Sequence, residues 1–141
     1  MTNSHTGRLS GYRITETLYE GSHTQVYRAV TAAKAPRESQ TVAIKALRSE
    51  YPTFDELLHF RNQYSICHRL DHPGLLRMVE LADYGNGQAI VMENFCGISL
   101  SKYLSQRLEE KQRLSPIEVL SIGVQLAEIL HYLGEQRVIH K

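Results

Sequence analysis

The sequence has 141 residues, 42% of them apolar and 22% charged, enough for one ordinary soluble domain with a single core. Its 16 Lys and Arg nearly cancel its 15 Asp and Glu, so the net charge gives no electrostatic claim on nucleic acid or on an anionic membrane. No apolar run approaches the length of a membrane span, and the polar segment 1–10 reads as a short disordered leader, not a secretory signal.

In chain order, Tyr12 to Glu20 carries residues that suit a pleated surface and reads as a strand. Gly21 to Thr24 is a turn, Gln25 to Thr31 a second strand, 34–40 a loop, and Thr41 to Leu47 a third strand of an antiparallel meander. A helix is expected from Pro52 to Leu70, with Asp55 and Glu56 near its start and Asp71-His72-Pro73-Gly74 as its stop. Leu75 to Ala82 and Gln88 to Glu93 form two more strands, joined by Gly85-Asn86-Gly87. Ile98 to about Glu110 is helical. Ser115-Pro116-Ile117-Glu118 is a capping box that opens a last helix to Leu133, with Gly134 as its stop. Strands followed by segregated helices give an α+β class.

Candidate chemistry starts on the third strand. In Val42-Ala43-Ile44-Lys45, alternation puts Ala43 and Lys45 on one face. Lys45 is either a lysine on a solvated sheet face or an ammonium that an anion must meet. The turn Gly21-Ser22-His23-Thr24 is either an ordinary hairpin or a cradle whose N–H groups face phosphates. On the following helix, Gln63 falls within the stripe Phe60, Gln63, Cys67 and Leu70, either as a partner for Lys45 or at a wet stripe edge. His68 and His72 have i, i+4 spacing but no third ligand, so no metal site is read. Cys67 and Cys96 read as reduced, buried thiols of a cytosolic protein.

Taken in order, the Gly-bearing turn, Val42-Ala43-Ile44-Lys45, a helix ending in His72-Pro73, Met92-Glu93-Asn94-Phe95 and Val138-Ile139-His140-Lys141 resemble a eukaryotic-type Ser/Thr protein kinase domain over residues 11–141. The segment Phe60-Arg61-Asn62-Gln63-Tyr64 is similar to kinase-like domains of bacterial multi-domain sensor kinases. The resemblance implies a small lobe over 11–95, with a five-stranded antiparallel sheet and one long helix. It implies the start of a large lobe, with two helices, over 96–141. It further implies that ATP binds, with Lys45 on the α/β-phosphates and with Leu18, Tyr19, Gly21, Ser22, His23 and Thr24 around the phosphates. Val26 and Ala43 would pack on the adenine, Met92 would be the gatekeeper, and the backbone of Glu93 and Phe95 would bond the adenine edge.

Three departures accompany the resemblance. Aligned on Val26, the family's three loop glycines fall at Tyr19, Gly21 and Thr24, so the loop should be stiffer. Counting nine residues back from His72 places the helix glutamate at Gln63, a neutral acceptor for Lys45. His140-Lys141 matches the opening of the catalytic-loop motif. The expectation is therefore a domain cut there, with the catalytic Asp and the Mg²⁺ ligands beyond it and no phosphoryl transfer by these residues alone. The last helix agrees, being apolar over most of its circumference, which implies a missing partner or self-association. The implied partners are ATP and a protein substrate or downstream signalling domains. The rival readings are a pseudokinase module that binds nucleotide or a partner without catalysis, and a plain α+β domain.

Overall fold

The computed structural model describes residues 9–32 and 39–139; the leader, most of the 34–40 loop and His140-Lys141 lie outside them. The chain forms two compact units. Among the described residues, one comprises 9–32, 39–71 and 76–95, the other 72–75 and 96–139.

The first unit is built on a five-stranded antiparallel sheet. Its strands are β1 (Tyr12–Glu20), β2 (Thr24–Thr31), β3 (Thr41–Leu47), β4 (Met78–Tyr84) and β5 (Gly87–Glu93). The order across the sheet is β1-β2-β3-β5-β4. Period-two alternation gives the sheet two apolar faces. Val42, Ile44 and Ala46 of β3 join Leu9, Ala29, Ala89 and Val91 on one face. Ala43, Ile90 and Met92 face the other way and pack with Phe60 of helix α1 (Phe54–Cys67).

Helix α1 begins later than the sequence suggests. Pro52 is not in the first turn; Thr53, which follows it, is the N-cap: its side chain accepts from the Glu56 N–H while the Glu56 carboxylate accepts from the Thr53 N–H. The helix also ends before Leu70, at the cap His68. The β4–β5 turn is two residues, Gly85 and Asn86, with Tyr84 paired to Gly87; Gly85 takes a φ of 57° that an L side chain would resist. β4 starts three residues after Leu75, which lies in a turn closed by its N–H to the His72 carbonyl at 2.9 Å.

The second unit holds α2 (Leu100–Glu109), capped by Ser99, and α3 (Pro116–Glu135), capped by Ser115 and Glu118. Gly134 does not stop α3. The left-handed residue that ends it is Arg137 (φ 58°), with Val138 N–H on the Leu133 carbonyl and Arg137 N–H on the Gly134 carbonyl. Lys111 (φ 55°) ends α2 the same way. Both helices thus close in Schellman form on a residue other than glycine. Arg107 joins α2 to α3 through the Glu118 carboxylate at 2.9 Å.

Two expectations need correction. Cys96 is exposed and Cys67 only half-buried, so neither is a core thiol. The 20 residues of α3 have the length and composition of a membrane span, contrary to the reading that no such run exists. Glu128 sits mid-helix, where placing an ionised group in a bilayer would cost about 3 kcal/mol.

Candidate nucleotide site

The pleat arranges the candidate residues in rows. Residues directly opposite each other in a sheet point to the same face, so Tyr19, Val26, Lys45, Ile90 and Leu81 form one row across the five strands. Ala43 and Met92 belong to the next row, with Arg28 and Met78. This is the face that carries α1, and it gathers Val26, Ala43, Met92 and Phe95 around the Phe60 cluster. Leu18 is the extra residue of a bulge between Thr17 and Tyr19, where two residues of β1 oppose one of β2.

Lys45 is half-buried, and its ammonium donates to the Gln63 side-chain oxygen at 3.0 Å. Gln63 therefore takes the partner role, not the wet edge. The acceptor is neutral. Burial pulls the Lys45 pKa below its ordinary value, and neighbouring Cys67 opposes this weakly. Burial in turn pushes the Cys67 thiol up. Such an ammonium is under-compensated, a state that an added anion relieves.

The turn between β1 and β2 is held closed. The Gly21 N–H donates to the Thr24 carbonyl at 2.9 Å. Arg48, just past β3, donates from its backbone to the His23 carbonyl at 2.9 Å and from its guanidinium to the Gly21 carbonyl at 3.1 Å. The same guanidinium pairs with Glu20 at 3.2 Å. Side chains on both partners are about half exposed, so the ion pair adds little energy, and its use is geometric. Sequence reasoning missed Arg48, because its role depends on where the turn's carbonyls point.

Beside the turn is an open cavity of about 370 Å³ lined by His23, Thr24, Leu47, Glu56, His59, Phe60 and Gln63. Its floor is apolar. Glu56, His59 and Gln63 are spaced at i, i+3 and i+7, one face of α1, and that spacing was available in the sequence. Hydrogen bonds from Thr53 hold the Glu56 carboxyl below the usual carboxylate range.

At the other end of the site, Met92 is buried and Glu93 exposed. The Glu93 N–H donates to the Arg77 carbonyl at 2.9 Å, and the Glu93 carboxylate accepts from the Arg77 N–H at 2.9 Å. This double link fixes the segment that leads to Phe95. Ser22 and His23 are exposed at the turn tip. Among the described residues no cluster of His, Cys, Asp and Glu could hold a metal ion. His68 bonds the Tyr64 and Ser65 carbonyls, while His72 accepts from the Gly74 N–H at 3.0 Å.

The family model for protein tyrosine and serine/threonine kinases matches residues 12–141. The serine/threonine-protein kinase PkaA of Streptomyces coelicolor is 31% identical over 140 residues, covering 94% of this chain and 25% of its own length. The human NUAK family SNF1-like kinase 2 is 31% identical over 133 residues, 92% of this chain and 19% of its own. The serine/threonine-protein kinase PrkC of Bacillus subtilis is 28% identical over 136 residues, 95% of this chain and 20% of its own. The chain thus spans a quarter or less of the length of these relatives.

Proposed function

The chain belongs to the protein tyrosine and serine/threonine kinase family, and on that premise we propose that its first unit binds ATP for a Ser/Thr-type protein kinase acting in cytoplasmic signalling in a bacterium. The observation that carries this reading is Lys45: a half-buried ammonium whose helix partner is a neutral amide, on the same sheet face as Ala43, Val26 and Met92. That combination fits a polyphosphate with a flat base. The anion supplies the charge that Gln63 lacks, and small Ala43 leaves room for the adenine above Met92.

In this reading Lys45 holds the α/β-phosphates and Gln63 orients Lys45. Leu18, Tyr19, Gly21, Ser22, His23 and Thr24 border the phosphates. The backbone of Glu93 and Phe95 meets the adenine edge, on a segment steadied by Arg77. Bound ATP would supply the phosphoryl group. Phosphoryl transfer to a protein substrate is proposed for the whole protein, since these residues match a quarter or less of the length of the kinase relatives. The proposed partners include neither nucleic acid nor membrane. The apolar surface of α3 is proposed to be an interface, through which the 141 residues by themselves would self-associate.

A second reading, a nucleotide-binding module without catalysis, is favoured by one observation: the Lys45 acceptor is Gln63 and not a carboxylate. Both readings require nucleotide binding at Lys45. Titration with an ATP analogue tests it: Lys45→Ala is expected to lose at least about tenfold in affinity, roughly 1.4 kcal/mol. Unchanged binding would remove the site assignment. Turnover of the whole protein, compared with that of its Gln63→Glu variant, then separates the two readings.

A further inference from the structure

Gly21 owes its identity to something other than backbone strain. Its φ lies outside the left-handed range, yet a Cβ there would come within 2.8 Å of the Tyr19 ring and 2.9 Å of the Tyr19 hydroxyl. The space that a glycine leaves open in this turn is therefore taken by the Tyr19 side chain. The Gly21 N–H is also taken, by the Thr24 carbonyl.

The direction of that ring follows from the ladder. Tyr19 pairs with Val26, and Val26 pairs with Lys45, so the three share one face. Two strand spacings separate Tyr19 from Lys45, about 10 Å. Phosphates that reach Lys45 from beneath the turn must share this space with a phenol ring. The Ala43–Met92 row does not contain Tyr19.

We propose that Tyr19 is a specificity-determining residue of this site, a ring that competes with the terminal phosphates for the space beneath the turn and so weakens triphosphate binding relative to nucleoside binding. This rests on the nucleotide reading of Lys45. The ring is 59% exposed, so it can swing aside, and displacing it costs its packing on Gly21. Arg48 keeps the backbone of the turn from making the same accommodation.

The test is calorimetric titration of the protein carrying this chain, with two probes: adenosine, and the β,γ-imido analogue of ATP with Mg²⁺. Tyr19→Ser is expected to tighten the analogue about tenfold while adenosine changes by less than about twofold. Tyr19→Phe, which keeps the ring, is expected to show no gain. Analogue affinity that is unchanged or weaker in Tyr19→Ser overturns the proposal. So does a gain shared equally by adenosine, or a gain that Tyr19→Phe reproduces. Lys45→Met separates the two levels. If it binds the analogue as the parent does, the nucleotide reading itself falls; if it loses binding while Tyr19→Ser gains nothing, only the role of Tyr19 falls.

Discussion

Lys45 and Gln63 are 18 residues apart in sequence and 3.0 Å apart in space, joined by a hydrogen bond from an ammonium to a neutral amide oxygen. A carboxylate at this position would add charge to the same geometry. Gln63→Glu is therefore expected to stabilise the nucleotide-free protein by about 0.5–1 kcal/mol, read as a rise in melting temperature. The variant also changes pH dependence. The folded-state pKa of Lys45 lies below 10.5, so its burial penalty is fully present below that folded value and is relieved as pH rises towards 10.5. Stability should climb across that window in the parent and climb less in Gln63→Glu. Equal slopes would mean that Lys45 is not the titrating group.

Arg48 gives the turn its rigidity through two carbonyls and Glu20. Arg48→Ala keeps the backbone bond to His23 and loses the other two contacts. Amide exchange at Ser22 and His23 is expected to speed up several-fold, with global stability changed by less than about 0.5 kcal/mol. Arg48→Lys can keep one contact but not both, because an ammonium is a point donor and a guanidinium a fork. It should fall between parent and Arg48→Ala. Unchanged exchange in Arg48→Ala would remove the staple.

The contact between Tyr19 and Gly21 predicts a coupling. Gly21→Ala forces a methyl into the ring and should destabilise the hairpin by about 1–2 kcal/mol. In a Tyr19→Ala background the ring is gone, and the Thr24 carbonyl at 3.2 Å is the next neighbour. Most of the penalty should then vanish. A double-mutant cycle measured by denaturant unfolding reads the difference directly. Additive effects would show that the ring does not rest on Gly21 in solution.

Much of the sheet was legible because its signals are local. Alternation through Val42-Ala43-Ile44-Lys45 assigned the two faces, and the glycines around Asn86 marked a hairpin. Gln63 was found by counting from a helix stop, and its partner by asking what a polar residue does in an apolar stripe. Helix ends were less legible: glycine rules pointed at Gly134, while Lys111 and Arg137 took the left-handed positions. A left-handed residue costs roughly 1–2 kcal/mol on an L side chain and leaves no mark in composition. Arg48 and the Tyr19 ring were hidden for a related reason. Both depend on the turn between β1 and β2 and on a bulge at Leu18 that set directions, and spacing alone does not carry directions.

Helix α3 exposes more apolar surface than a stable soluble face should. Ile117, Leu120, Val124 and Leu130 are each more than half exposed on 20 residues whose composition would suit a membrane. Family membership points to a protein environment, and mid-helix Glu128 opposes a lipid one. The 141 residues expressed alone are therefore expected to associate, with sedimentation showing dimers or larger species at micromolar concentration. Leu120→Gln with Leu130→Gln should shift that population towards monomer. Both side chains are exposed, so the melting temperature of the first unit should not move. A parent chain that sediments as a monomer, or a double variant that associates as strongly as the parent, would remove α3 as the interface.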